Sequence, residues 1–110
     1  MLIAWIAPSI GGGFLNTASG YRSTIVGGGG SCDALSNKTV GNRSGILGGF
    51  SNIVLHDCSF IVGQSITTSC PNTTYVNCLN IVSLPTEASL PLPTGTLYRC
   101  TSDNSIYSVP

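Results

Sequence analysis

A branched apolar residue followed by glycine recurs over residues 10–82, and this repeat constrains the fold more than any other feature. It occurs as Ile10-Gly11-Gly12, Val26-Gly27-Gly28, Leu47-Gly48-Gly49 and Val62-Gly63-Gln64, with intervals of 16, 21 and 15 residues between the apolar positions. An echo, Asn80-Ile81-Val82, closes the series without a glycine. Units of this length cannot bury a face alone, so they become stable only when stacked on one another.

Each unit predicts a strand of three to five residues, a glycine corner, a second short strand and another corner. At a corner the chain must adopt a positive φ or pass close to a neighbouring backbone, and glycine allows both. The expected corner residues are Gly11, Gly27, Gly48 and Gly63, and the matching structural positions are Ile10, Val26, Leu47, Val62 and Val82. The sequence therefore predicts an all-β chain of short β-solenoid or β-roll-like coils. The alternative is an ordinary β-sandwich, which favours turns every ~8–12 residues without this signature.

The chain divides by composition into three parts. Residues 1–9 are an apolar junction that stops at Pro8, too short for a membrane helix and without the basic flank of a signal peptide; a vestigial signal is the alternative. Residues 10–82 form the repetitive shaft. Residues 83–110 comprise a proline-rich connector and a terminal β-hairpin around Asp103-Asn104, which would cap the last coil.

Composition excludes several classes of protein. Gly, Ser, Thr and Asn make up 48 of 110 residues, while charged residues are only 7%. Four Lys and Arg are too few to neutralise a nucleic-acid backbone, and 42% hydrophobic residues argue against disorder. Fourteen glycines make a helical bundle improbable. A short stack with two open edges would aggregate unless copies associate and cover its apolar positions.

The cysteines and sequons give no specific site. No Cys-x-x-Cys is present among the five cysteines and only His56 could assist, so no metal site is predicted. Buried free thiols are favoured over a disulfide framework. Three glycosylation sequons occur, about the number expected by chance, at Asn37, Asn42 and Asn72.

Catalytic chemistry is also not predicted, and neither is a cofactor. The four carboxylates form no pair beside an aromatic groove, as sugar cleavage would need; they are Asp33, Asp57, Glu87 and Asp103. His56-Asp57-Cys58 places nucleophile components in a row, but adjacent strand residues point to opposite faces, and we interpret the run as a corner. The glycine runs lack the Gly-Lys-Ser/Thr of a phosphate loop.

The remaining polar and aromatic groups carry weaker expectations. The cations are expected to be solvated or bonded to corner carbonyls; they are Arg22, Lys38, Arg43 and Arg99. Three tyrosines could stack on sugars or could pack between chains, so no receptor site is assigned; they are Tyr75, Tyr98 and Tyr107.

Two stretches resemble known families. The run from Gly13 to Gly29 is similar to repeats in viral tail-fibre and tail-spike proteins and to the coils of YadA-like trimeric autotransporter adhesin heads. The ending, Leu92–Arg99 followed by Ile106–Pro110, resembles the closing hairpin of bacteriophage fibres. Together they cover residues 10–110. The intervals here are less regular than in the adhesin heads.

The resemblance implies an intertwined homotrimeric fibre: a structural, non-enzymatic part of a virion tail fibre or spike, used in assembly and host-surface attachment. Its implied partners are other tail or baseplate proteins and a host-surface glycan or protein receptor, with no nucleic acid and no membrane insertion. One alternative is the head fragment of a cell-surface adhesin, which would be extracellular. Another is a polysaccharide-cleaving tail-spike fragment whose carboxylates pair across subunits.

Overall fold

A computed structural model describes residues 7–110, and its regular structure consists of short strands and two 3₁₀ turns. The strands are β1 (Ser9–Ile10), β2 (Thr17–Ala18), β3 (Thr24–Ile25), β4 (Lys38–Thr39), β5 (Gly45–Ile46), β6 (Ile53–Val54), β7 (Phe60–Val62), β8 (Thr74–Val76), β9 (Leu97–Arg99) and β10 (Ile106–Ser108). The 3₁₀ turns span Asp33–Leu35 and Glu87–Ser89. The all-β prediction is confirmed, although most strands are shorter than the three to five residues predicted. The predicted junction over residues 1–9 falls mainly on residues 1–6, outside the described part.

Contacts divide the chain into two units between Cys78 and Leu79. The first unit contains β1 to β8, and the second contains β9 and β10. The composition change at residue 83 therefore comes four residues after the division in contacts.

Two parallel sheets build the first unit. The first sheet has the order β1-β3-β5-β7-β8, and the second sheet has the order β2-β4-β6. In the first sheet, partners are separated along the chain by 15, 21, 15 and 14 residues, as the pairs Ser9↔Thr24, Thr24↔Gly45, Gly45↔Phe60 and Phe60↔Thr74 give. The chain thus returns to the same register once per repeat. The 3₁₀ turn at Asp33–Leu35 occupies part of the longest interval.

The register corrects the alignment inferred from sequence at the first repeat. Ile10 pairs with Ile25, not with Val26. Gly11 therefore occupies the position held by Val26, since the Gly11 amide donates to the Ile25 carbonyl and the Val26 amide donates to the Ile46 carbonyl, both at 2.9 Å. The alignment predicted from sequence is wrong by one residue here, because Gly11 occupies a position that carries an apolar side chain in later repeats.

The core is a column of isoleucines faced by small residues. Ile25, Ile46 and Ile61 stack on the inner side of the first sheet and are fully or almost fully buried. Val54 and Thr39 are the fully buried residues of the second sheet. Burying each apolar side chain of this size contributes about 1.5–3 kcal/mol. Side chains alternate across a strand, so the neighbours of each inner isoleucine point outward.

A second corner repeats before β3, β5, β7 and β8 of the first sheet. Four residues there adopt a left-handed φ of 52° to 58°, namely Arg22, Arg43, Cys58 and Asn72. The next residue is Ser in three repeats, and the hydroxyls of Ser23 and Ser44 donate to carbonyls three residues earlier at 2.8 and 2.6 Å. Each buried hydroxyl is thereby satisfied inside its own turn, which lets a polar residue sit in the core.

The echo at Asn80-Ile81-Val82 is not a strand. The first sheet ends at β8, and Val82 lies in a turn with 92% of its surface exposed. Each earlier corner between the first and second sheets contains at least one residue with positive φ, as at Gly13, Gly28, Gly49 and Ser65. Residues 77–79 contain none, so the backbone does not repeat that corner.

The second unit confirms the terminal hairpin. β9 and β10 pair antiparallel, with Tyr98 opposite Tyr107, and Asn104 in the turn has a φ of 61°. The proline-rich connector pairs with β9 of the hairpin at one point. Thr86 forms a bridge with Arg99, whose amide donates to the Pro85 carbonyl at 2.8 Å.

Candidate functional site

The outward side of the first sheet forms an exposed apolar surface, which we call the outer face. Its members from β3 onward are Thr24, Val26, Gly45, Leu47, Phe60, Val62, Thr74 and Val76. Leu47 is 58% exposed, and the valines, together with Phe60, are exposed as well. None of these residues is charged. Water contact with so many apolar side chains in one column is unfavourable, and such surfaces mark interaction sites.

A shallow groove of about 290 Å³ runs along this face. It is lined by Val26, Leu47, Phe60 and Val62 together with parts of β3, β5 and β7. The ring of Phe60 lies over Gly45, where an added Cβ would be 3.2 Å from Phe60 Cδ1. Glycine at this position thus leaves room for the aromatic ring of Phe60.

Three of the five predicted structural positions belong to the outer face. They are Val26, Leu47 and Val62, which follow the buried isoleucines by one residue. Ile10 is in register with the inner column but is 45% exposed, and Val82 lies outside both sheets. The inner isoleucines were not among the predicted positions, although the recurring Ile-Val or Ile-Leu pair before glycine was a signal for two opposite faces.

The glycines that need a positive φ lie one or two residues after the predicted corner glycines. Gly13, Gly28 and Gly49 have φ between 81° and 86°, and a Cβ on any of them would overlap a carbonyl oxygen. Gly27 and Gly48 have no positive φ and open space where a Cβ would lie. Gly11 and Gly63 do meet the close-approach condition, against the Val26 carbonyl and the Asn77 side chain.

An asparagine ladder joins the repeats inside the first unit. Asn16, Asn37 and Asn52 follow one another in register. The amide N–H of Asn37 donates to Asn16 Oδ1, and that of Asn52 donates to Asn37 Oδ1, both at 3.1 Å. The recurrence of Asn before each second-sheet strand was the available signal. At Asn37 it was obscured because Asn37-Lys38-Thr39 also reads as a sequon.

The same side chains hold the glycine corners. Asn37 Nδ2 donates to the Gly49 carbonyl at 2.9 Å and to the Gly27 carbonyl at 3.3 Å. Asn52 Nδ2 likewise donates to the carbonyls of Gly48 and Gly63. Both side chains are fully buried, and among the described residues no buried side-chain nitrogen or oxygen lacks a partner. Neutral amides therefore perform the cross-repeat bonding that charged groups could not perform without a large desolvation cost.

Each of the four carboxylates is engaged locally with a different partner. Asp33 lies 3.7 Å from Lys38 Nζ, and Asp57 accepts from the Asn42 amide at 2.8 Å. Glu87 accepts from the Thr101 hydroxyl and amide, and the hydroxyl is the main reason that the pKa of Glu87 is lowered. Asp103 accepts from the Ser105 amide and from the Tyr107 hydroxyl, which lower its pKa.

The predicted corner role of His56-Asp57-Cys58 agrees with the contacts of these residues. His56 Nδ1 is 2.9 Å from the Thr68 hydroxyl, while Asp57 bonds to the preceding repeat. Cys58 has a φ of 54°, in the left-handed corner. None of the three bonds to another, so they do not form a relay.

The prediction that the cysteines are buried is wrong. Cys32, Cys70 and Cys78 are exposed and the other two are half-buried, with all five thiols free. Cys58 lies in a corner, which explains its partial exposure. The pKa of Cys70 is lowered, mainly by the Thr73 hydroxyl and then by the Tyr75 hydroxyl.

The three tyrosines differ in availability. Tyr75 packs against the core, and its hydroxyl accepts from the Ser69 and Cys70 amides. Tyr98 and Tyr107 pack together with ring centroids 5.9 Å apart. The bond to Asp103 raises the pKa of Tyr107. Tyr107 remains exposed, so it is the most accessible of the three.

The cations lie close to aromatic or polar partners. Arg22 and Arg43 lie over the ring of Tyr21, at 5.0 and 5.6 Å from its centroid. Arg99 donates to the Asn104 side chain at 3.0 Å. All three arginines are exposed, which agrees with the first of the two expectations, that these cations are solvated.

Within residues 7–110, no cluster of three or more His, Cys, Asp or Glu side chains could hold a metal ion. Over the same range there is no helix with the length and apolarity needed to cross a membrane. No protein family, curated protein or solved structure matches the chain.

Proposed function

We propose that this chain is a β-solenoid segment of a homotrimeric fibre, a structural and non-enzymatic part of a virion tail fibre or spike that serves assembly and host-surface attachment. The observation that carries the proposal is the uncharged, exposed outer face. A second copy placed against it would remove Val26, Leu47 and Val62 from water without desolvating a charge.

The solenoid part of the proposal is supported by the strand register and the side-chain ladder. Successive repeats pair in parallel in both sheets, and asparagines at matching positions bond from one repeat to the next. Repeats joined in this way need neighbours on both sides, and a stack of this kind is suited to continuing as a longer shaft.

The structural role is supported by the engagement of the carboxylates. Asp33 and Asp57 are tied to Lys38 and to the Asn42 amide, and Glu87 and Asp103 brace their own unit. Acid–base cleavage of a glycosidic bond needs two carboxylates directed at one bond. The attachment role rests on the resemblance of the Gly13–Gly29 run and of the ending to viral fibres.

The proposal is tested by the mass of the purified chain in light scattering. We expect about three times 11.3 kDa. Leu47→Asp should reduce the mass to that of one chain, because it would place a charge in the apolar contact. Leu55→Asp is the matched control, since Leu55 is 51% exposed but follows β6 of the second sheet. A monomeric native chain would refute the fibre assignment.

The attachment and non-enzymatic parts are tested on polysaccharides and glycan arrays. The oligomer should bind surface glycans or cell-surface protein without releasing reducing ends. Release of reducing ends that is lost in Asp33→Asn or Asp57→Asn would instead support a polysaccharide-cleaving spike.

A further inference from the structure

The second sheet ends at an open edge. Beyond β6, Ile53 pairs with Thr67 as an isolated bridge: the Ile53 amide donates to the Ile66 carbonyl at 2.8 Å, and the Thr68 amide donates to the Ile53 carbonyl at 3.1 Å. These bonds use the groups of residues 66–68 that face β6. The amide and carbonyl of Thr67 point the other way, and among the described residues they have no hydrogen-bond partner. Unpaired groups of this kind are a template for a further strand.

The segment Leu79–Val82 has the sequence of the strand that this edge lacks. The last interval in the first sheet is 14 residues, from Phe60 to Thr74, and the same interval carries Ile66, Thr67 and Thr68 onto Asn80, Ile81 and Val82. Asn80 thereby falls on the asparagine-ladder position. Ile81-Val82 also repeats the Ile53-Val54 sequence of β6.

This segment is nevertheless unpaired and apolar. Residues 79–82 belong to no strand or bridge, and Leu79 and Val82 are 66% and 92% exposed. The positive-φ corner that precedes each second-sheet strand is absent at residues 77–79. The segment therefore has the sequence pattern of a second-sheet strand. It lacks the corner that, in earlier repeats, places such a strand on the chain's own stack.

We propose that residues 80–82 of one copy pair in parallel with residues 66–68 of a second copy, so that neighbouring chains exchange a strand. The inference rests on the proposed self-assembly and names how the copies interlock. The Thr67 amide donates to the Asn80 carbonyl of the other copy, and the Val82 amide donates to the Thr67 carbonyl. This register repeats the pattern between Ile53 and residues 66–68, and it places Val82 beyond the buried Val54 and Thr68.

Disulfide trapping tests the exchange. The five native cysteines, all exposed or half-buried, are replaced by serine. A chain with Thr67→Cys is then refolded together with a chain carrying Ile81→Cys and oxidised. We expect a two-chain species that is reversed by reductant. The control replaces the second chain by one with Thr94→Cys, an exposed position in the same unit, and should give little of this species.

The outcomes separate the exchange from the proposed function. If the oligomer forms no more disulfide-linked species with Ile81→Cys than with Thr94→Cys, the strand exchange is overturned and the proposed trimer is unaffected. A chain that is monomeric in light scattering overturns both.

Hydrogen exchange of the native chain gives a second measurement that needs no substitution. The Thr67 amide should be protected in the oligomer and should exchange at least tenfold faster after dilution to monomer. Equal protection at both concentrations would overturn the proposal, because it would mean that the chain pairs with its own segment.

Discussion

The two units of the molecule order their backbones by different polar chemistry. In the first unit, buried neutral groups link one repeat to the next: Asn37 and Asn52 bond glycine corners, and Ser23 and Ser44 close the opposite corners. In the second unit, exposed carboxylates do the bracing, with Glu87 bonded to Thr101 and Asp103 bonded to Ser105. Burial accounts for the contrast, because an amide or hydroxyl can be satisfied inside a stack and a carboxylate is stable only near water.

Substitution in the asparagine ladder should cause the largest loss of stability in the first unit. Asn37→Leu keeps a branched side chain of similar shape but leaves the Asn52 amide and the Gly27 carbonyl without partners, and it removes one of the two donors to the Gly49 carbonyl. Each unsatisfied buried group costs about 1–3 kcal/mol, so we expect a loss of about 2–6 kcal/mol. Denaturant unfolding measures it. Asn72→Gly is the control, since Asn72 is exposed with a φ of 58° that glycine tolerates, and its effect should stay within about 0.5 kcal/mol.

Substitution in the isoleucine column should cause the second-largest loss of stability. Ile46→Ala removes a side chain that is 1% exposed, and a cavity of this kind costs about 2–5 kcal/mol. Val40→Ala, at a residue 52% exposed, should change the free energy of unfolding by less than about 0.5 kcal/mol. Similar losses at the two positions would mean that the core does not lie between the sheets.

Two glycine substitutions compare the stability cost of a side chain at a crowded backbone position with the cost at an open one. A Cβ on Gly41 would overlap the His56 carbonyl, whereas a Cβ on Gly27 would meet nothing within 4 Å. Gly41→Ala should therefore destabilise the first unit by about 1–3 kcal/mol. Gly27→Ala should have little effect on unfolding. Equal melting temperatures for the two variants would contradict the close stacking at the Gly41 corner.

As the pH falls, the second unit should lose stability before the first unit does. The pKa values of Glu87 and Asp103 are lowered in the folded chain, so their contribution is present above their ordinary values of 4.5 and 3.8 and is lost as the pH falls through the lower folded values. Amide exchange of β9 and β10 should rise in this acid range while β5 and β7 remain protected. Glu87→Gln should reduce that pH dependence. Loss of protection in both units at the same pH would remove the distinction between them.

Sequence patterns predicted the elements that depend on apolar alternation and turn residues. The terminal hairpin is confirmed, because two β-rich runs flank Asp103-Asn104. β4 was missed, because Lys38-Thr39 has no apolar residue, and its place is set by the buried Asn37 beside it. The error at Ile10 has a related cause, since Gly11 fills an outward position that carries an apolar side chain in later repeats. Buried polar ladders and register are properties of the stack, and hydrophobic periodicity in a single repeat does not encode them.

The assembled mass of the native chain in light scattering tests the central claim most directly, when measured beside Leu47→Asp and Leu55→Asp. The apolar outer face predicts about three times 11.3 kDa for the native chain and for Leu55→Asp, and a single-chain mass for Leu47→Asp. A single-chain mass for all three proteins would contradict the claim, as would a Leu47→Asp protein that keeps the native mass.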